Sequence, residues 1–132
     1  MRLIIFSIFS FIFQHINTHQ HLISLKITGF ESDKGKAMVL LLDNNGDELQ
    51  KQILTIKGRK VVFQFAPIEN GFFAVKVFHD ANENGKLDTN LLGVPKEKWG
   101  VSNNVKANLG PPDFKKMLFE VKNDIQIHIN LH

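Results

Sequence analysis

Apolar and polar residues alternate with a period of two through most of the chain. Ile23, Leu25 and Ile27 are interleaved with Ser24, Lys26 and Thr28, and Gly29 ends the run. Successive side chains of a strand point to opposite faces, so this pattern predicts a strand with one buried face. Ala37 to Leu42 is apolar without interruption, which predicts a strand buried on both faces. Asn44-Asn45-Gly46-Asp47 then predicts a turn, because Asn and Gly tolerate positive φ. Glu48 to Ile56 is spaced by Gln50, Lys51 and Gln52, the pattern of an edge strand. After the Lys57-Gly58-Arg59 turn, Val61, Phe63 and Phe65 face one way against Lys60 and Gln64. Pro67 to Gly71 turns the chain again, and Phe73, Val75 and Val77 form the inner face of the next strand. Phe114 to Lys122 is predicted as a strand setting Met117, Phe119 and Val121 against Lys116, Glu120 and Lys122. Ile125, Ile127, Ile129 and Leu131 alternate cleanly with Gln126, His128, Asn130 and His132.

No segment carries a 3.6-residue apolar stripe long enough for a full helix. About seven short strands separated by turn signals predict an all-β, antiparallel β-sandwich, Ig-like or transthyretin-like in outline. One long loop is expected between the fifth and sixth strands.

The N-terminus breaks the alternation. Met1-Arg2 precedes Leu3 to Phe13, which is interrupted only by Ser7 and Ser10. A membrane-spanning helix needs about 20 apolar residues, so this run is too short to cross. It has the length of a signal-peptide apolar core. Residues 1–20 are therefore read as a cleaved export signal and residues 21–132 as one β-sandwich domain. A buried first strand or helix is the alternative, and no A-x-A cleavage pattern lies there.

Composition sharpens this picture. The chain has 132 residues, enough for one domain. It has no cysteine, which excludes disulfides, Cys-ligated zinc, Fe–S clusters, thiol chemistry and an N-terminal lipid anchor on Cys. Export then implies the periplasm or the extracellular space, as a soluble protein rather than a lipoprotein. Net charge is +3, but Arg59 is the only arginine after residue 20 and the lysines are dispersed. Nucleic-acid backbones are bound by clustered Arg and Lys, so a nucleic-acid partner is not expected. A monomer is the expected state.

Between His79 and Asn104 the period disappears. A loop of this length in a small domain is functional or disordered. Its start matches a calcium loop: Asp80, Asn82 and Asn84 at the first, third and fifth positions, Gly85 at the sixth, the Lys86 carbonyl at the seventh and Asp88 at the ninth. The twelfth position is Leu91, where an EF-hand has a bidentate Glu. An ion site would therefore need a later oxygen, from Glu97 or Asp113. Two readings stay open. Either Asp80, Asn82, Asn84, Lys86, Asp88 and Glu97 hold one Ca²⁺, or the same residues fold the loop through Asx turns with no metal. Further on, Pro95 sets a rigid bend. Trp99 is read either as a lid over one end of the sandwich or, with Asn103 and Asn104, as a surface for carbohydrate or peptide.

This stretch resembles domain-of-unknown-function family 2141. The shared pattern is His-Asp-x-Asn-x-Asn-Gly-Lys-x-Asp-x-Asn, then Gly-x-Pro-x-Glu, then Gly-x-Ser-Asn. It is met by His79, Asp80, Asn82, Asn84, Gly85, Lys86, Asp88, Asn90, Gly93, Pro95, Glu97, Gly100, Ser102 and Asn103. Phe65 to Val77 and the pair Pro112 and Phe114 add to it, and the resemblance covers about Leu22 to Leu131. It implies small, exported bacterial proteins with a transthyretin-like sandwich. It implies no reaction.

Familiar catalytic patterns are missing. Gly100-Val101-Ser102-Asn103-Asn104 is not a nucleophile elbow, since its last position is not Gly. Gly29 and Gly35-Lys36 have the wrong spacing for a phosphate loop. The sequence thus favours a non-enzymatic binding module for an envelope protein, peptide or glycan. An envelope hydrolase using the loop carboxylates and a purely structural envelope protein are the alternatives.

Overall fold

The structure, a computed structural model, describes residues 18–132. Most of the expected export signal lies outside the described residues. Within them the chain forms β1 (Gln20–His21), β2 (Ile23–Thr28), β3 (Lys36–Leu42), β4 (Glu48–Thr55), β5 (Val61–Gln64), β6 (Ile68–Glu69), β7 (Gly71–Asp80), β8 (Trp99–Val101), α1 (Phe114–Met117), β9 (Phe119–Val121) and β10 (Ile125–Asn130). A short 3₁₀ turn, Ser102–Asn104, follows β8. The fold is the all-β sandwich the alternation predicts. Of the two main sheets among the described residues, the smaller has the order β10-β2-β5 and the larger β4-β3-β7-β8, with β9 paired to the start of β7; β1 and β6 form a separate two-stranded sheet.

The inward residues are those the period of two selects. Ile23, Leu25 and Ile27 of β2 meet Ala37, Val39 and Leu41 of β3 and Phe73, Val75 and Val77 of β7 in one buried cluster. Fully burying such a side chain is worth about 1.5–3 kcal/mol. β3 lies between β4 and β7 and is covered on both faces: Ala37, Val39 and Leu41 face the main cluster, and the outward Leu42 enters a second, smaller cluster with Ala74, Val101 and Met117. β4 is the edge strand its polar spacing predicts, paired among the described residues with β3 alone. Gly100 lets β8 approach the other sheet: a Cβ there would stand 2.8 Å from Cγ2 of Ile129.

Three features depart from the sequence reading. First, β10 and β2 run parallel, from Ile125 against Ile23 to Asn130 against Thr28, so the sandwich is not purely antiparallel. Strands this far apart in sequence need no tight hairpin and can take either direction. Second, Phe114 to Lys122 is not one strand. Asp113 accepts a hydrogen bond from Lys115 N at 3.0 Å and caps the helical turn α1 before the chain extends into β9. Phe114 and Met117 share a face at helical spacing, which a period-two reading cannot distinguish over one turn. Third, β7 runs on through Asp80 and the chain regains strand form at Trp99, so the long loop is shorter than its composition indicates. The three residues of β8 are too few for alternation to show.

Candidate functional site

The loop leaving β7 is closed by its own polar groups. Asp80 is 2% exposed, and its carboxylate accepts from Asn84 N at 3.1 Å and Gly85 N at 2.8 Å. Gly35 makes room for this corner, because a Cβ there would collide with the Asp80 carbonyl. Asn82 Oδ1 accepts from Asn84 N, and Asn84 Oδ1 accepts from Lys86 N. Both Asn amides then donate to the Asp88 carboxylate, Asn82 at 2.6 Å and Asn84 at 2.8 and 2.9 Å. These donors, Asn84 first, hold the Asp88 carboxyl below the usual carboxylate range. Glu97 reaches back from the far end of the loop and accepts from Ala81 N at 3.0 Å and Asp88 N at 3.1 Å.

The residues of the expected ligand set share one loop. Asp80, Asn82, Asn84, Asp88 and Glu97 lie in one hydrogen-bonded loop, with Lys86 contributing its backbone there. Asp113 is spent on capping α1. Among the described residues, no three His, Cys, Asp or Glu side chains are grouped as metal ligands would be.

On the outward face of the larger sheet lies a cleft of about 1020 Å³. Lys76 and Phe78 alternate with the inward Val75 and Val77, and they stand in register with Val101 and Trp99 of β8. Leu40 of β3 lies opposite Lys76 on its other side. These residues form the floor. One wall is the far part of the long loop, with Leu87, Leu92, Val94 and Pro95; the other carries Leu109, Pro111, Pro112 and Phe114. Leu92 and Leu109 are 88% and 105% exposed, so apolar surface faces water at the rim. Trp99 joins this floor, half-buried, instead of capping an end of the sandwich.

Asn103 and Asn104 are committed within the chain. Asn103 Nδ2 donates to the carbonyls of Lys116 and Leu118, holding α1 against the sheet. Asn104 accepts from Asn130 N at 2.9 Å and donates to the His128 carbonyl at 3.0 Å, as a neighbouring strand would. Both adopt positive φ, 60° and 49°, a conformation Asn accepts more readily than most residues. Ser102, buried beside them, donates to the Met117 carbonyl and accepts from Val75 N. The His79 Nε2–H donates to the Lys34 carbonyl at 2.7 Å, and its ring packs edge-on against Phe30.

The cleft residues Leu40, Lys76, Phe78, Leu92, Val94, Leu109 and Phe114 are missed by the sequence reading. A signal was present: Phe78 has the outward parity that Lys76 marks, and Leu91-Leu92-Gly93-Val94 is an apolar run inside a polar loop.

Over residues 25–128 the chain matches the family described as "Uncharacterized protein conserved in bacteria", DUF2141. No curated protein and no solved structure gives a significant match.

Proposed function

The chain belongs to the DUF2141 family of bacterial proteins, and on that footing we propose that it is an exported, non-enzymatic binding module whose ligand enters the cleft over β7 and β8. The cleft itself carries this reading. Its volume of about 1020 Å³ is at the upper end of ligand pockets, roughly 300–1,000 Å³, and its lining is apolar, as theirs is. Two loops wall it while the sheet beneath supplies a rigid floor, the common division between recognition and scaffold. Export is supported by the apolar Leu3 to Phe13 after Met1-Arg2. The non-enzymatic reading is supported by the loop carboxylates of Asp80, Asp88 and Glu97, which accept from backbone and amide donors. Among the described residues no helix is long and apolar enough to cross a membrane.

The neutral apolar dye Nile red tests the cleft. It should bind at one saturable site with a blue-shifted emission, and Leu92→Lys should weaken that binding. Equal binding by this variant, or no binding by the wild type, would remove the cleft as the site.

A second reading concerns the loop. The gathering of oxygen-bearing Asp80, Asn82, Asn84, Asp88 and Glu97 side chains in one loop supports weak Ca²⁺ binding that orders the wall of the cleft. Calcium takes six to eight oxygen ligands in irregular geometry, and a loop of this composition can offer them. The ion would have to compete with the amide donors that now hold these oxygens.

A further inference from the structure

The cleft floor contains one feature that an apolar ligand alone cannot satisfy. Among the described residues, Lys76 is the only charged one lining the cleft, and no carboxylate lines it. The side chain is fixed to this face by its strand: Leu40 stands opposite on β3 and Val101 on β8, both apolar. Lys51 of β4 lies on the other side of Leu40, so two cations flank one leucine in a single cross-strand row. Among the described residues neither lysine forms an ion pair.

Lys76 is exposed in the open cleft, and an apolar ligand laid over its ammonium would remove that water and give nothing back, which is costly unless the charge is paired. An occupant that fills the apolar walls and also supplies an anion meets both demands. Resting on the cleft reading above, we propose that the ligand is a single-chain anionic amphiphile, specifically a long-chain fatty acid. Its chain lies between the Leu92–Val94 and Leu109–Phe114 walls across Phe78 and Trp99. Its carboxylate accepts from the Lys76 ammonium, with Lys51 adding a second positive charge nearby. The leucines exposed at the rim are covered when the chain is in place.

Dodecanoate and dodecanol, each below its micelle concentration, provide the test. They share one chain length and differ in the headgroup. Trp99, the only tryptophan, lies on the cleft floor and reports occupancy by its fluorescence. A charge-assisted contact should make dodecanoate bind roughly tenfold tighter than dodecanol. Lys76→Met, which keeps the stem and removes the charge, should reduce this preference to about twofold or less. Lys51→Met should reduce it partially. Equal affinity for acid and alcohol, or a preference unchanged in Lys76→Met, would overturn the fatty-acid assignment and leave the cleft standing as a site. Binding of neither compound, with Nile red also failing, would overturn the cleft reading as well.

Discussion

The Trp99 indole lies against the His132 imidazole, with ring centroids 4.4 Å apart and planes inclined by 58°. The two backbones also exchange hydrogen bonds, His132 N to the Trp99 carbonyl at 3.0 Å and Trp99 N to the His132 carbonyl at 3.3 Å. The larger sheet is thus joined at β8 to the chain just beyond β10. The reporter on the cleft floor is thereby coupled to a titrating group.

Burial first, then the charges of Lys106 and Lys98, hold the His132 pKa below its ordinary value of 6.5. A histidine whose folded pKa is depressed favours folding while neutral. Its contribution is complete above the unfolded pKa and is lost as pH falls through the folded one. We expect stability to decline on acidification in a window beginning near 6.5 and extending below it. Trp99 emission should change over that window as the imidazole becomes charged. Fluorescence-detected urea melts across this range check it. His132→Phe should flatten the pH dependence, and a slope that survives the substitution would assign it to other groups.

Asn104→Ala should destabilise the fold. It removes the acceptor for Asn130 N and the donor to the His128 carbonyl, and it places Ala at a φ of 49°. Two lost hydrogen bonds and the strained backbone make a cost of about 1–3 kcal/mol reasonable, read as a lower midpoint in urea. Asn104→Gly relieves the backbone and should recover part of the loss. No difference between the two variants would show that φ contributes nothing.

Gly100→Ala should cost about 1–3 kcal/mol by overpacking, because the new methyl meets Ile129 Cγ2 and a Leu131 methyl between the sheets. Thermal melts compare it with the wild type. Combining it with Ile129→Val should return part of the stability if the contact with Ile129 is the cause.

Calcium at millimolar concentration should raise the melting temperature if the loop takes an ion. An affinity of about 0.1–1 mM suits a loop of this kind in an exported protein. At roughly ten times Kd the gain is near 1.4 kcal/mol, a few degrees in a domain of this size. Asp80→Ala removes the buried carboxylate and also lowers basal stability, since Gly85 N loses its acceptor and Asn84 N loses one of two. Asp88→Asn turns one acceptor of the Asn82 and Asn84 amides into a donor, so it too lowers basal stability, and the calcium increment of each variant is read against its own calcium-free melt. A wild type indifferent to calcium identifies the loop as an Asx-turn scaffold.

Expression in a bacterium checks export. The recovered protein should lack about twenty residues and leave the cytoplasm, in keeping with the length of a signal peptide. Intact mass distinguishes this from a full-length cytoplasmic product, which would reassign Leu3 to Phe13.

The sandwich was legible because burial repeats every second residue in β2 and β10 and from Val75 to His79 in β7, and that period survives without knowledge of partners. Strand direction was not. Nothing in Ile125–Asn130 specifies a parallel neighbour, since the same alternation serves either ladder. The loop's turn chemistry was legible at Asp80, Asn82 and Asn84, where each side chain bonds its own neighbourhood. The cleft was not, because it joins Leu40, Phe78, Leu92 and Leu109, which no local pattern connects. Asn103 and Asn104 suggested a surface for ligands. Their amides instead complete the fold, a role visible only once α1 and β10 are in place.

The parallel pairing of β10 with β2 bears on when the protein can fold. Thr28 and Asn130 are separated by 102 positions in the chain and joined by a hydrogen bond of 3.0 Å. Contacts this distant in sequence close late and slow the search for the native state. During synthesis β2 waits for β10, and the smaller sheet cannot be completed until Ile125–Asn130 has emerged. The β3–β4 hairpin pairs at far shorter separation and can form first, so the larger sheet is the surface on which the smaller one closes.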